Sequence, residues 1–309
     1  MFLKRKVVSV VGECIDLPLN DDHELREMCE LTTSGKVSVI IPNYNYAHYV
    51  SEAIESVLNQ TYQNIEIIVV NNGSTDNSME VLEKYSKKIT LINQENLGQS
   101  GARKSGLEKA SGHYIAFLDA DDKWDHRKIE KQISLFTPKV ELVYCGINFF
   151  SESAQKVTAT SIPSFRGQCS RAFIEHPGVS IVLSGESTCI FTRSLLNKVG
   201  GFDQDLNSAA GWDFFRRCSK FSEFDFVPEP LVNYRVHASN MSNSFQDNIL
   251  DIRKAYRKLF EDNYWNLSPI EVRRTIFYLE TSFVKTYLKK RKYIRALNTA
   301  FKGIFLRKY

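Results

Sequence analysis

Residues 113–124 read HYIAFLDADDKW, an apolar run that ends abruptly in three carboxylates, Asp119, Asp121 and Asp122. The packing of a strand does not require these groups, and like charges this close repel one another unless a cation lies between them. Carboxylate oxygens are hard ligands that suit Mg²⁺ or Mn²⁺, ions that commonly accompany phosphorylated substrates. The same residues also fit an Asp-rich turn followed by a helix cap, because aspartate favours both positions. The segment by itself therefore indicates either a metal site or a plain turn.

Apolar strand patterns alternate with helical patterns from Lys36 onward. The predicted strands are residues 37–41, 65–70, 89–92, 114–118 and 140–148, and the predicted helices are residues 47–59, 76–86, 99–109 and 125–136. Such alternation is typical of an α/β fold in which a mostly parallel sheet carries helices on both faces. Residues 151–185 lose the pattern and are expected to form loops. After Ser244 the chain is predicted to be helical, over residues 249–262, 269–290 and 291–306.

Small or polar residues follow each of the first four predicted strands. Because the carboxyl ends of parallel strands meet along one sheet edge, these residues should line one crevice. Tyr44 offers an aromatic surface, Asn72 an amide that can read a base, and Arg103 a cation beside the acidic cluster. Each has a plainer alternative, as an edge plug, a turn residue and a solvated helix face. Their joint placement favours a site for a nucleoside diphosphate.

Composition limits the classes of function. The chain has 309 residues, a formal charge of +4 and six cysteines without CxxC spacing, which favours reduced thiols in a cytoplasmic protein. No stretch approaches the roughly 20 apolar residues of a membrane span, and the N-terminus does not resemble a signal peptide. A nucleic-acid binder is not expected, since its basic residues should follow the crevice and this crevice is acidic.

The C-terminal region from Thr281 onward is basic and lacks acidic residues. Aromatic and aliphatic side chains alternate with the lysines and arginines there. Such a pattern fits either a helix that lies on an anionic membrane or a packed helix pair with a solvated basic face. The first alternative would place the protein at the inner membrane face, near a lipid-linked acceptor.

Two long segments resemble a known family. The segments VSVIIPNYNYAHYVSEAIESVLNQTYQNIEIIVVNNGSTDNS and NLGQSGARKSGLEKASGHYIAFLDADD look like the nucleotide-binding half of a family 2 glycosyltransferase, and the resemblance resumes at LLNKVGGFDQDL and GWDFFRRCSKF. It implies a GT-A (Rossmann-like) fold over residues 36–244, with a nucleotide-binding half at 36–125 and an acceptor half at 126–244. Residues 1–35, with one short helix expected from Asp21 to Leu31, form an N-terminal extension, and residues 245–309 form a basic helical extension.

The resemblance implies roles for the residues around the nucleotide. Pro42 and Tyr44 would line the nucleobase site, and Arg103 would help to position the diphosphate. Asn72 stands where relatives carry an aspartate that meets the base, in NNGS rather than DDGS. An amide can still accept a hydrogen bond from a base and can also donate one. A uridine or thymidine diphosphate sugar is therefore expected first, and a guanosine diphosphate sugar second.

The resemblance also implies a metal site for Mn²⁺ or Mg²⁺. Asp119 and Asp121 match the DxD motif, with Asp121 as the direct metal ligand and Asp119 nearer the ribose or the metal. His237, in YRVH, matches a histidine that reaches the metal or the diphosphate in many relatives.

The catalytic carboxylate departs from the family pattern. Relatives place a Glu-Asp pair ahead of a Trp-Asp pair, whereas this chain reads Ala210-Gly211-Trp212-Asp213, so that glycine aligns with the catalytic aspartate. Glycine cannot accept a proton. Asp213 could serve if the helix start is shifted, and its motif position favours it. Glu186, in SGEST near the expected acceptor site, is the alternative base.

The sequence thus predicts an inverting, metal-dependent glycosyltransferase. It would move a sugar from a nucleoside diphosphate to a saccharide or lipid-linked acceptor, in the synthesis of a cell-surface polysaccharide or glycolipid. The alternative, raised by Gly211, is a nucleotide-sugar-binding protein of the same fold with weak or no turnover. A nucleotidyltransferase is not favoured, because residues 43–49 lack the Gly, Lys and Arg of a phosphate loop.

Overall fold

A computed structural model describes residues 6–10, 13–17, 35–177, 179–182, 185–238, 240, 245–289, 291–293, 295–297 and 299. Its strands are β1 Lys6–Val10, β2 Glu13–Leu17, β3 Val37–Asn43, β4 Ile65–Asn72, β5 Thr90–Gln94, β6 Tyr114–Phe117, β7 Lys123–Trp124, β8 Val140–Ser151, β9 Lys156–Ser161, β10 Ile190–Thr192 and β11 Glu223–Val236. Its α-helices are α1 Val50–Leu58, α2 Ser78–Glu83, α3 Gly98–Lys109, α4 Lys128–Ile133, α5 Ala172–Glu175, α6 Arg193–Val199, α7 Ala210–Cys218, α8 Phe245–Glu261 and α9 Pro269–Lys289. Short 3₁₀ turns lie at Gly185–Thr188 and Asn263–Trp265.

One large sheet organises the chain from β3 to β11. Its strand order is β5-β4-β3-β6-β10-β8-β11-β7, and β9 pairs with β8 beside this row. Neighbours within β5-β4-β3-β6 are parallel, as are β8 and β11. Strand β10 is antiparallel to both β6 and β8 and so joins the two parallel groups. The prediction of an α/β fold with a mostly parallel sheet is confirmed.

Alternating residues of β3 show why these apolar runs form a buried sheet. Val39 and Ile41 face one core cluster with Ile54 of α1, whereas Ile40 faces a second cluster with Phe214 of α7. A strand that is covered on both faces needs a continuous apolar run, and both faces contribute hydrophobic free energy. Helix α3 approaches β3 so closely that a Cβ on Gly106 would lie 2.4 Å from Ile40 Cγ2.

Several elements differ from the sequence-based expectation. Residues 151–185 are not all loops, because β8 extends to Ser151 and forms a hairpin with β9. Strand β10 was not predicted, since three residues are too few to show an alternating pattern. The N-terminal extension contains a β1–β2 hairpin. The helix expected from Asp21 to Leu31 and much of the helix expected over 291–306 lie outside the described residues, and the division at residues 35 and 244 stays a prediction.

Helices α8 and α9 pack on one another beside the sheet domain. Tyr256 of α8 lies in a buried cluster with Leu279 and Phe283 of α9. Across the same interface, the Arg253 guanidinium donates to both oxygens of Glu280, at 2.7 and 2.6 Å. Of the helices that the structure describes, none combines the length and the hydropathy required to cross a bilayer.

Glu66 binds the residues that precede β6 through hydrogen bonds and one ion pair. Its Oε1 accepts the amide hydrogens of Ser111 at 2.6 Å and Gly112 at 3.0 Å, and the Ser38 hydroxyl at 2.5 Å, while Lys36 Nζ lies 2.8 Å from Oε2. Burial by itself raises the pKa of Glu66, but the bonds from Lys36, Ser38 and Ser111 outweigh it and hold the pKa at about 2.

We expect Glu66→Gln to weaken the acid dependence of folding. The folded-state pKa lies below the ordinary value of 4.5, so the stabilisation is present above pH 4.5 and is lost as the pH falls toward 2. The variant should lose about 1–2 kcal/mol of unfolding free energy at pH 7, a value reduced for solvent screening. Urea unfolding between pH 7 and pH 2 measures this, with the exposed Glu83→Gln as control. Parallel pH profiles for wild type and Glu66→Gln would contradict it.

Candidate active site

The acidic residues after β6 lie in a turn held by the 3₁₀ turn at Gly185–Thr188. The Asp119 amide donates to the Ser187 hydroxyl at 3.0 Å, and the Asp122 amide donates to the Asp119 carbonyl at 3.0 Å. The Trp124 indole N–H donates to the Ser187 carbonyl at 2.8 Å. All of these bonds involve backbone groups or the buried side chains of Ser187 and Trp124. The core therefore fixes the backbone of the turn that carries the carboxylates.

Asp121 and His237 meet although 116 residues separate them in the chain. His237 Nε2 lies 3.0 Å from Asp121 Oδ2, and Asn240 Nδ2 lies 3.4 Å from the same oxygen. Tyr46 adds a phenol beside Asp121, and its ring centroid is 5.8 Å from that of His237. Burial, followed by the negative charges of Asp121 and Asp119, raises the pKa of Tyr46 well above its ordinary value.

Arg235 supports the acidic turn from behind. Its Nε donates to the Asp121 carbonyl at 3.0 Å, and its backbone amide donates to Asp122 Oδ1 at 3.2 Å. Its guanidinium also reaches Glu52 at 3.1 Å and lies 4.7 Å from the Tyr49 ring centroid. The arginine therefore supplies positive charge to the turn.

Arg103 connects the acidic turn to Glu186. Its Nη1 lies 2.8 Å from Glu186 Oε1 and its Nη2 lies 3.8 Å from Asp119 Oδ1. The side chain is only 2% exposed and its guanidinium lies 5.1 Å from the Phe202 ring centroid, so the alternative of a solvated helix face is wrong. Arg103 therefore compensates the charge of two carboxylates, and a further anion could share it only together with a cation that neutralises those carboxylates.

Burial destabilises the anionic forms of Asp119 and Asp122. Burial raises the pKa of Asp119 to about 7, with Glu186 and Asp121 acting in the same direction and Arg103 opposing them. Burial also raises the pKa of Asp122, and the charges of Asp119 and Asp121 add to this rise.

The predicted nucleobase residues lie at the ends of β3 and β4. Tyr44 is 45% exposed directly after β3, and Pro42 within β3 is partly buried. Asn72 is 4% exposed. Its Nδ2 donates to Asn96 Oδ1 at 3.2 Å and to the Gly98 carbonyl at 3.1 Å, while its Oδ1 accepts from Gln94 and Leu97 at 2.8 and 3.1 Å. Contact between Asn72 and a base would require the exchange of one of these bonds, and its role stays a prediction.

Asp213 and Glu186 lie in different surroundings. Asp213 is 1% exposed; its Oδ1 accepts from Arg216 at 2.7 Å and its Oδ2 from Arg217 at 2.7 Å. Glu186 instead lines a cavity of about 180 Å³ together with Arg103, Gly211 and Trp212. Neither assignment as the base is tested by these contacts, but they favour Glu186, because both oxygens of Asp213 are engaged in a buried ionic network.

The residues at the turn fit a divalent ion. Asp121 Oδ2 and His237 Nε2 lie 3.0 Å apart, with Asp119 two residues away in the chain, and such donors suit Mn²⁺ or Mg²⁺. Within the described ranges no group of three His, Cys, Asp or Glu side chains is arranged as a complete metal site. A diphosphate and water would have to supply the other ligands, as is common for Mg²⁺.

Four contributors were not predicted: Tyr46, Ser187, Arg235 and Asn240. Tyr46 could have been suspected from the aromatic spacing of YNYAHY directly after a strand. The others act through tertiary contacts with the acidic turn, for which the sequence carries no local signal.

Several known proteins resemble this chain in sequence. A model of the family "Glycosyl transferase family 2" matches residues 38–196. An uncharacterised glycosyltransferase of Rickettsia prowazekii is 31% identical over 273 residues, which cover 86% of this chain and 84% of that protein. One from Nostoc sp. is 50% identical over 213 residues, or 66% of each chain.

Solved structures share the fold. The mannosyltransferase PcManGT from Pyrobaculum calidifontis, in complex with GDP-Man and Mn²⁺, gives a TM-score of 0.59 at 18% identity and covers 89% of this chain and 81% of its own. S. aureus TarS 1–349 in complex with UDP gives 0.58 at 19% identity, with 82% and 72% covered. These similarities confirm the predicted GT-A-like fold.

We expect Asp213→Asn to destabilise the protein without loss of donor binding. Removal of one charge from a buried pair leaves Arg217 and Arg216 poorly compensated and should cost about 3 kcal/mol. Chemical denaturation measures the loss, with the exposed Asp205→Asn as control. A variant of unchanged stability that has lost only turnover would instead identify Asp213 as part of the catalytic machinery.

Proposed function

The chain belongs to glycosyl transferase family 2, and from this premise we propose that it moves a sugar from a nucleoside diphosphate to a hydroxyl group of a saccharide or lipid-linked acceptor, with a divalent metal ion and with inversion. The observation that carries the proposal is the convergence of Asp119, Asp121, His237 and Arg103 at the carboxyl end of β6. A site with a carboxylate–imidazole pair on one side and a buried guanidinium on the other suits a metal-bound diphosphate.

The residues have separate tasks in this proposal. Asp121 and His237 would hold Mn²⁺ or Mg²⁺, which supplies Lewis-acid neutralisation of the leaving diphosphate when bound. Arg103 would bind a diphosphate oxygen, and Asp119 would lie toward the ribose or the metal. Tyr44 and Pro42 would border the base. The exposed face of Tyr44 supports this role, because an aromatic ring at the crevice edge can stack on a flat base.

A single displacement accounts for inversion. The acceptor oxygen forms a bond to the anomeric carbon as the bond from that carbon to the diphosphate oxygen breaks. The acceptor proton passes to a carboxylate, and the nucleoside diphosphate leaves with the bonding electron pair. We place the reaction in the synthesis of a cell-surface polysaccharide or glycolipid.

The donor is proposed as a UDP- or dTDP-sugar first and a GDP-sugar second. TarS structures with UDP and with UDP-GlcNAc, and the mannosyltransferase structure with GDP-Man and Mn²⁺, support either nucleotide class in this fold. The amide of Asn72 can donate as well as accept, which is compatible with both bases.

A thermal-shift screen of UDP-GlcNAc, dTDP-glucose and GDP-mannose, with and without Mn²⁺, tests the donor and the metal together. A ligand at a hundredfold excess over its Kd adds about 2.7 kcal/mol to the native state. Asp121→Ala should abolish the Mn²⁺-dependent part of the shift, because it removes the proposed metal ligand. The exposed Glu108→Ala should retain it. An equal Mn²⁺-dependent shift in Asp121→Ala would refute the metal assignment.

The alternative of a nucleotide-sugar-binding protein with little turnover is favoured only by Gly211. Release of nucleoside diphosphate from a bound donor separates the two. Binding with Mn²⁺ but without release, in the presence of a range of acceptors, would support the alternative.

The outer face of α9 supports a peripheral contact with an anionic membrane. Ile270, Phe277 and Leu288 are 75%, 64% and 47% exposed, and spacings of 7 and 11 residues place them on one side of the helix. Basic side chains flank this stripe: Arg273, Arg274, Lys285 and Lys289. The acidic residues of α9 are engaged elsewhere, Glu271 with Arg171 and Glu280 with Arg253.

Sedimentation with phosphatidylglycerol vesicles at low salt tests this contact. Each basic residue near such a surface contributes about 1 kcal/mol, so Lys285→Gln with Lys289→Gln should weaken binding about 30-fold. The pair Lys87→Gln with Lys88→Gln, exposed before β5, removes the same charge elsewhere and should leave binding unchanged. Absence of binding to these vesicles by wild type would leave only the alternative of a solvated basic face.

A further inference from the structure

Glu186 occupies the space that a side chain at position 211 would need. A Cβ built on Gly211 would lie 2.4 Å from Glu186 Oε1 and 2.9 Å from its Cδ. Two non-bonded heavy atoms cannot approach so closely, so a side chain at 211 and the observed position of Glu186 exclude one another. The absence of a side chain at Gly211 thus leaves room for the Glu186 carboxylate.

We propose that Glu186 is the catalytic base and that Gly211 exists to admit it. In this chain the carboxylate reaches the acceptor side of the site from the 3₁₀ turn before β10, and not from the first turn of α7. The proposal rests on the proposed glycosyl transfer, and it assigns the proton acceptor of that reaction.

The turn that carries Glu186 is firmly held. Ser187 and Thr188 are fully buried, and the Trp124 indole donates to the Ser187 carbonyl at 2.8 Å. Gln132 donates to the Thr188 carbonyl at 2.9 Å, and the Thr188 hydroxyl donates to the Gly185 carbonyl at 2.9 Å. A carboxylate on such a turn is positioned before the substrate arrives, which a catalytic base requires.

The surroundings of Glu186 are those of a group that meets a substrate. Its side chain is 10% exposed and borders the cavity of about 180 Å³, together with Asn207 and Trp212. Arg103 engages Oε1 at 2.8 Å, and Oε2 has no hydrogen bond within the part of the chain that the structure describes. An acceptor hydroxyl in the cavity could therefore donate to Oε2.

Arg103 links the base to the donor side. The same guanidinium contacts Glu186 at 2.8 Å and Asp119 at 3.8 Å, so the proton acceptor and the diphosphate site lie on either side of one cation. In the reaction, Glu186 takes the acceptor proton while the acceptor oxygen bonds to the anomeric carbon. The bond from that carbon to the diphosphate breaks in the same step.

The first test measures nucleotide release from UDP-GlcNAc and GDP-mannose with Mn²⁺, with water as the acceptor. Glu186→Gln keeps the size of the side chain and should reduce release at least about 100-fold, the usual effect of a lost general base. It should not abolish the Mn²⁺-dependent thermal shift with either donor, because Arg103 and the proposed metal ligands are retained. Asp213→Asn, compared at equal folded fraction, should retain release.

The second test measures the coupling between the two positions, first through the Tm and then through nucleotide release. Gly211→Ala should lower the Tm of wild type, because the Glu186 carboxylate must move away from Arg103, and should lower it less on a Glu186→Gly background, where the clash is absent. Gly106→Ala, which contacts Ile40 instead, should lower the Tm equally on both backgrounds. The pair Glu186→Gly with Gly211→Asp should release more nucleotide than either single variant.

Three results would overturn the inference: unchanged release in Glu186→Gln, additive Tm changes for positions 186 and 211, or donor binding by wild type without any release. If none of UDP-GlcNAc, dTDP-glucose and GDP-mannose shifts the Tm with Mn²⁺, the proposed function itself fails. That outcome is distinct, because the coupling between positions 186 and 211 would still appear in the Tm values.

Discussion

The crowding of negative charge at the end of β6 is the constraint on which the rest of the site depends. Asp119, Asp121 and Asp122 follow one another within four residues, and burial raises the pKa of Asp119 and Asp122. Carboxylates crowded in this way are costly unless cations lie close to them. The chain supplies cations from distant elements, with Arg103 from α3 and Arg235 from β11.

This compensation also explains the architecture around the turn. Residues from the far end of β11 and from the segment before β10 must reach the same point as the end of β6. The antiparallel insertion of β10 between β6 and β8 makes this possible, because it places the Gly185–Thr188 turn directly against the acidic residues. The two halves of the sheet therefore share a site that neither could form alone.

Two carboxylates near α7, those of Asp213 and Glu186, have different surroundings. Asp213 at the start of the helix is a partner of Arg216 and Arg217, and Arg217 in turn donates to the carbonyls of Val199 and Gly201, so the aspartate anchors α7 to α6. Glu186 has one arginine partner and a cavity in front of it. The sequence motif pointed to the first of these groups, whereas the contacts favour the second as the one able to meet a substrate.

The sequence by itself determined the α/β fold, the family and the position of Asp119 and Asp121 at a strand end. These features follow from local periodicity and from motifs of fixed spacing, which adjacent residues are sufficient to encode. Only the tertiary structure decided that Arg103 is buried, that His237 meets Asp121, and that Glu186 fills the space beside Gly211. Such contacts join residues far apart in the chain, and their existence depends on how closely the elements between them pack, which no local pattern records.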